Sequence, residues 1–420
     1  MANSEYPRAV SAYVGINGVN VWGDIKDYVR ELTYIDVASG ETDSFDILLH
    51  DVNDHWLNDW LIDKGTLIDA KIKLKNWEYQ GDDRWTDCGE FLCDSLGVKG
   101  FPLDISIKTL ALPVQGTKNT KKWENITISA IAQDICNHLG VELLYYADDL
   151  KLKSRQQSQQ TDINFLYSLC NEYGLGMKVF RHKIVIFDLA EYDKVIPAVT
   201  YILPQIIDDN GFSLTDNEDG TYTGVKATYK IEGSDNSKTY TLGTSEKMIV
   251  LDNAGSSLKE AEIKAKAALY KANVEAVKLK FVTTKGIPFY SGTNYYFYGI
   301  GKYSGAYGID KVTHSIDETN GYSVTVEAHA IALEKDRKPA ETAINKQSSE
   351  ITQGKKIELS GCPLYVSSDA SSPVRYVSGT YYLYDGKDFN GRYRITNDSS
   401  RVGKTPVNKY VTGYIDSKYA

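Results

Sequence analysis

The sequence is poor in the residues that usually carry chemistry or cross-links. Of 420 residues only 5 are cysteine, 6 histidine, 3 methionine and 10 proline. The cysteines, Cys88, Cys93, Cys136, Cys170 and Cys362, are odd in number and include no CxxC pair, so the spacing indicates neither a disulfide framework nor a thiolate metal site. Cys136 and Cys170 fall on apolar helical stripes and are expected as small core residues. No window approaches eighteen uninterrupted apolar residues, and the opening MANSEYPRAV has no apolar segment, so neither a membrane span nor a signal peptide is expected. A surplus of positive charge is missing too: the net charge of −9 argues against a general nucleic-acid binder.

Catalytic motifs are equally scarce. The chain contains no GxxxxGK[ST], no HExxH and no GxSxG, and Gly299-Ile300-Gly301 has no helix behind it to make a phosphate loop. His50 and His55, in the one His/Asp cluster, are five residues apart and share a face of neither a helix nor a strand, so no metal site is expected there. Asp82-Asp83, Asp148-Asp149 and Asp208-Asp209 are neighbours in turn contexts, whereas glycosidase chemistry needs two carboxylates held across a cleft. His314 lies on an expected strand and reads as structural. The expectation is a protein with no catalytic residue, cofactor or metal, that is, not an enzyme.

What is abundant is tyrosine, 31 residues against 11 phenylalanines and 6 tryptophans. Tyrosine covers half-buried sheet or interface, because its ring is apolar and its hydroxyl stays wet. Two strand-rich blocks match that. From Ala9 to Pro113, the runs Val19–Trp22, Ser44–Leu49, Leu67–Leu74 and Leu103–Leu112 alternate apolar and polar residues between turns such as Asn17-Gly18, Ser39-Gly40 and Lys64-Gly65. From Val195 to Leu333, the strands expected are Thr221–Ile231, Lys238–Thr241, Ala276–Val282, Tyr295–Tyr298, Gly308–Ser315 and Tyr322–Leu333. One helix interrupts this block, announced by Ser257 and Glu260 as a capping box and carrying a mostly alanine face.

Between the blocks lies the clearest helical sequence. Thr127 caps a helix with Ile128, Ile131, Ala132, Ile135, Cys136 and Leu139 on one side and Gly140 at its end. A polar link, Ser154 to Gln160, leads to Thr161 or Asp162 as the cap of a second helix bearing Phe165, Leu166, Leu169, Cys170 and Tyr173, closed by Gly174. Met177–Phe180 and Ile184–Phe187 then read as a hairpin around Arg181-His182-Lys183. Neither helix is long enough to stand alone, so each must bury its stripe.

This order, helix ending in Gly, Gln-rich link, Asp-Ile-Asn-Phe-Leu helix, Glu-Tyr-Gly-Leu and hairpin, resembles the phage late control protein D family. Its members are baseplate hubs of contractile phage tails and phage-like bacteriocins. The resemblance implies two tube-like β-barrels joined by the helical connector, in homotrimers whose six barrels form a pseudo-sixfold ring. The two blocks here end alike, in LDISIKTLALP and VTVEAHAIALE, which agrees with such a pair.

Beyond a charged linker, EKDRKPAETAINKQSSEITQG, the last segment changes character. Residues 355–420 carry +4 and leave −13 for the rest. Short Tyr/Val/Ile runs with GRYRIT and VTGYID resemble a bacterial Src-homology-3-like barrel. Tyr381, Tyr382, Tyr384 and Tyr393 are candidates for an aromatic partner-binding groove there, the alternative being that they cover core and strand faces.

The expected fold is mainly β (α+β), divided into a first barrel (1–120), a helix-helix-hairpin connector (121–190), a second barrel with one helix (191–335), a linker (336–356) and an SH3-like barrel (357–420). The expected function is a structural hub of a tail baseplate, assembled in the bacterial cytoplasm, a trimeric adaptor joining the six-fold tail tube to the three-fold spike. Its partners would be tube protein, spike protein and other baseplate proteins, and the cell wall for the last module. The rival readings are a cell-wall-binding or peptidoglycan-degrading tail protein, or a receptor-binding tail fibre.

Overall fold

The computed structural model describes residues 7–53, 55–56, 60, 62–111, 117–208, 211–217, 221–231, 236–333, 353–370 and 373–420. The chain forms two units, Met1–Arg337 and Lys338–Ala420. The expected linker lies almost wholly outside the described residues.

The first unit opens with β1 (Ala9–Ile16), β2 (Val19–Asn20), a single helical turn α1 (Trp22–Ile25), β3 (Val29–Val37), β4 (Ser44–Asp51), β5 (Leu67–Lys75), β6 (Arg84–Lys99) and β7 (Leu103–Ala111). Alternation makes these strands: in β4, β5 and β7 every second side chain is buried almost without exception, so one face meets the core and the other water. Trp22 was expected to end a strand, but the chain turns helical there, and Ile25 on that turn reaches the core instead.

The connector comprises β8 (Asn119–Thr127), α2 (Ile128–Leu139), β9 (Glu142–Tyr146), β10 (Lys151–Gln160), α3 (Asp162–Glu172), β11 (Leu175–Phe180) and β12 (Lys183–Asp188). The helix boundaries follow their caps. Thr127 accepts from Ala130 N, Thr161 accepts from Asn164 N, and Gly140 and Gly174 take left-handed φ values of 70° and 73°. The polar run from Ser154 to Gln160 is not a link but part of a strand. It pairs antiparallel with β8 in a two-stranded ribbon, while β9, β12 and β11 form a separate three-stranded sheet.

The second block follows as α4 (Leu189–Tyr192), β13 (Val199–Ile202), α5 (Leu203–Ile206), β14 (Phe212–Asp216), β15 (Gly224–Lys230), β16 (Ser237–Gly243), β17 (Met248–Leu251), α6 (Leu258–Asn273), β18 (Val277–Thr283), β19 (Asn294–Tyr298), β20 (Gly305–Asp317) and β21 (Gly321–Leu333). Ser257 accepts from Glu260 N, as its capping box requires. Ala261 and Ala265 pack α6 on the small sheet β16-β15-β17, and Ala267 lies against Gly174 so closely that a Cβ there would sit 2.8 Å from the alanine methyl. The alanine face is thus used within the chain.

Both strand-rich blocks belong to one 13-stranded sheet with one continuous hydrophobic core. Their spatial order is the same. In the first it is β3-β4-β7-β6-β5-β1 and in the second β14-β18-β21-β20-β19-β13, so in each block the six strands lie in the order second, third, sixth, fifth, fourth, first. The fifth strand carries a bulge whose extra residue is an aspartate in both copies, Asp94 between Cys93 and Ser95 and Asp310 between Ile309 and Lys311. Just before it, Gly65 N donates to Cys93 O and Cys93 N to Thr66 O; in the second block Gly292 N donates to Ile309 O and Ile309 N to Thr293 O. Among the differences between the copies, β1 runs antiparallel to β5 whereas β13 runs parallel to β19, and the second block carries β15–α6 where the first has a short turn.

The blocks are joined at β20. Its first residues, Gly305–Gly308, pair with β19, and after the bulge Lys311–Asp317 pair with Glu31–Val37 of β3. His314 and Tyr34 stack across this joint with centroids 5.6 Å apart.

The second unit has its own core and one sheet of β22 (Lys356–Leu364), β23 (Arg375–Phe389), β24 (Arg392–Thr396) and, after the turn α7 (Val407–Tyr410), β25 (Gly413–Asp416). Two backbone bonds between Tyr365 and Tyr414 bring β25 back beside the end of β22 and close the sheet into a small barrel.

Candidate functional site

The connector is held by two clusters of charge, and a third lies just past it in the second block, each spanning distant parts of the chain. At the first, the ammonium of Lys178 on β11 lies 2.6 Å from Asp36, 3.0 Å from Asp43, 2.8 Å from the Val37 carbonyl and 3.2 Å from Ser291 Oγ. Asp36 and Asp43 belong to the first block, whereas Ser291, in the turn before β19, belongs to the second. Ser291 also donates to Asp36 through both N and Oγ. Burial opposes the charge on Asp36, but Lys178 and Ser291 outweigh it and hold the carboxyl below its usual range. Asp43 has fewer compensating donors, and burial pushes it up to about 6. Lys178 stays charged despite its own burial because two carboxylates face it.

The second cluster is at the tip of the β11–β12 hairpin. Arg181 and His182 both take positive φ, 43° and 58°, which turns the guanidinium back onto β5 and β6. There Arg181 bonds Asp69 at 3.1 Å, Glu90 at 3.4 Å and Asp87, and His182 reaches Glu90 at 2.9 Å. The third cluster fastens the connector's exit. Buried His329 on β21 is bonded by Asp310 at 2.7 Å and by Asp193, just after α4, at 3.2 Å. Burial alone would lower its pKa, but the two carboxylates raise it to about 9, so the ring is an imidazolium bridging two acids.

Most of the histidines and paired acids singled out above are occupied structurally. His50 pairs with Asp104 and His55 stacks on Trp60, so the two imidazoles serve different partners; Asp51 accepts from the backbone N of Asn53 and Trp56, and Asp54 lies outside the described residues. Asp82 pairs with Arg84, Asp83 with Lys73, Asp149 with Ser129 and Asp208 with Thr284, while Asp209 is outside the described residues. Among the described residues no group of three or more His, Cys, Asp or Glu side chains is arranged to hold a metal, and no helix is long and apolar enough to cross a membrane. His314 bonds the Tyr322 hydroxyl at 2.8 Å, and burial lowers it to about 4. A cleft of about 720 Å³ between α6 and the connector mixes Lys259 and Lys266 with Asp148, Glu191 and Glu262 around Leu175, Ile263 and Ala267.

In the second unit the four tyrosines differ in burial. Tyr384 and Tyr393 are buried, the former donating its hydroxyl to the Lys404 carbonyl and the latter in the core; only Tyr381 and Tyr382 keep partial exposure. The aromatic residues gathered by charge are others. Arg392 lies over Tyr365 at 3.4 Å and donates to the carbonyls of Ser367, Ser368 and Ala370, and Arg394 lies over Phe389 at 3.9 Å while pairing with Asp385. Alternation of Arg392 and Arg394 along one strand face was the available signal for this pair.

The sequence matches no family model, and no curated protein matches it. Solved structures do. The 43 kDa tail protein of prophage MuSo2 from Shewanella oneidensis is similar over 77% of this chain and 99% of its own, at 13% identity and a TM-score of 0.58. A tail protein from Neisseria meningitidis is similar over 76% of this chain and 96% of its own, at 13% identity and a TM-score of 0.56. The chain shares the mainly β fold of these phage tail proteins.

Proposed function

We propose that this chain, built on the fold of phage tail proteins, is a non-enzymatic baseplate hub of a contractile phage tail or phage-like bacteriocin. Three copies would adapt a six-fold tail tube to a three-fold central spike and enclose the channel between them. The observation that carries this reading is the repeated strand order: one chain holds two blocks with the same six-strand arrangement and the same bulge, so three chains present six near-equal blocks. The charge clusters serve the same end. Two fix the connector to one or both blocks and the third pins the segment that follows it, through groups drawn from far apart in the chain, which favours a rigid joint over a hinge. The last module would dock another baseplate component or touch the cell wall, and the particle would be assembled in the bacterial cytoplasm.

The experiment is to image particles carrying a label on this chain and to mix the purified protein with tube and spike proteins. Label at the tip of the tube and capture of tube or spike protein support the hub. Label on peripheral fibres, binding to cells by the isolated chain, or clearing of peptidoglycan in a zymogram would replace it with the adhesin or the wall-acting protein.

A further inference from the structure

The two copies of the strand order leave two edges open, and the joint already present inside the chain says what fits them. In the second block, the part of β20 beyond its bulge is paired on both sides, by β21 and by β3 of the first block. The equivalent part of β6, Ser95–Lys99, is paired by β7 on one side only; β5 stops at Leu92. The strand equivalent to β3 is β14, which is paired by β18 on one side and ends the sheet on the other. Among the described residues no strand covers either edge.

We propose that β6 of one copy pairs antiparallel with β14 of the next, repeating between chains the joint that β20 and β3 make within one. This rests on the hub reading above and names the contact by which its copies associate. The register follows from the repeat. Cys93 and Ile309 precede the two bulges, so Ser95 corresponds to Lys311 and Val98 to His314. Ile107 on β7 faces Ile47, which faces Leu32, whereas Val326 on β21 faces Phe281, which faces Phe212; hence Leu32 corresponds to Phe212 and Tyr34 to Leu214. Inside the chain His314 is opposite Tyr34 and Lys311 opposite Val37. Between copies Val98 is therefore opposite Leu214, Leu96 opposite Asp216, Gly97 opposite Thr215, and Ser95 opposite Asn217.

The side chains on these edges suit such a contact. Val98 is 45% exposed and Phe212 40%, and Leu96 and Leu214 are half-buried, an apolar set on strands whose open backbone would otherwise invite non-specific pairing. The contact is heterologous, since the two edges are different surfaces, so repetition makes a ring or a filament and not a closed two-fold dimer. Strand addition supplies backbone hydrogen bonds along five residues, and the alternating side chains set the register.

The test uses the full chain. Cysteines introduced as Val98→Cys and Leu214→Cys together face each other across the proposed pair, at a separation that a disulfide spans in either type of antiparallel site. The five native cysteines are buried and do not compete. Oxidation is expected to give intermolecular disulfides at least tenfold in excess of those from the out-of-register pair Gly97→Cys with Leu214→Cys. Gly97 tolerates that change, because a Cβ there meets only Ser106, at ordinary contact distances of 3.7 and 3.9 Å. Val98→Glu, at an exposed position, is expected to weaken self-association at least tenfold by light scattering while the circular dichroism spectrum is unchanged. Self-association without the in-register disulfide, or untouched by Val98→Glu, overturns the proposed contact and leaves the hub reading standing. A chain that stays monomeric at every concentration, alone and with tube protein, overturns both.

Discussion

The first and second strand blocks share their order of six strands but fill it differently. In the first, position for position, Ile47 sits where the second has Phe281, and Leu32, Leu49, Ile105 and Ile107 are fully buried beside a smaller ring group of Tyr34, Phe45 and Phe91. The second packs a larger cluster of rings, Tyr201, Phe281, Phe289, Tyr295, Phe297 and Tyr307, in edge-on, tilted and stacked contacts with centroids 5.2 to 6.4 Å apart. The same topology thus tolerates two chemistries of packing so long as each face is continuous. What the blocks share is the bulge: in the second, β20 passes there from β19 to β3, and in the first, β6 parts there from β5.

Truncation at the two equivalent core positions should set the blocks furthest apart. Phe281→Ala is expected to cost about 4 kcal/mol and Ile47→Ala about 3 kcal/mol, measured by urea unfolding, because the ring leaves the larger cavity. Equal losses would mean that the ring cluster collapses around the gap. Next in size is the cluster that binds both blocks to the connector. Lys178→Met leaves Asp36 and Asp43 buried without their cation, and about 3 kcal/mol of stability is expected to be lost at pH 7. That loss should shrink as the pH falls through 6, where Asp43 takes up a proton.

The third cluster separates the blocks by pH. His329 has no charged counterpart at Leu110, the corresponding position on β7, so a histidine-linked slope belongs to the second block. Its folded pKa of about 9 lies above the ordinary 6.5; the stabilisation is therefore complete below pH 6.5 and is lost as the pH rises through 9. The expected loss is up to about 3 kcal/mol across that window, and His329→Gln should flatten it. The smallest effect is at a cap: Thr127→Ala is expected to cost about 1 kcal/mol, by loss of the bond to Ala130 N, with no change at either block.

The sequence made some of this visible and hid the rest for physical reasons. Strands such as Ser44–Asp51 and helices such as Ile128–Leu139 were legible because each buries one face, so periodicity and caps mark them. The strand from Lys151 to Gln160 was not, since within it only Leu152 and Gln157 are buried and no apolar period exists to detect. Lys178 looked like any polar residue on a hairpin; its partners lie more than a hundred residues away, where nothing local announces them. The repeat was visible in the similar final strands, yet its residue-level marks are sparse: a Gly-Thr pair before the fourth strand and an aspartate in the fifth, at Gly65, Thr66 and Asp94 and again at Gly292, Thr293 and Asp310.

The lobe of β15–β17 and α6 occupies the connection between second and third strands in one block, where the other has only the short turn from Ala38 to Asp43. A motif copied without change would give neighbours no means of telling the copies apart. With the insertion, any assembly that alternates the blocks bears a landmark at every second station. A component that seats on the shared strands would then be counted twice as often as one that seats on the lobe.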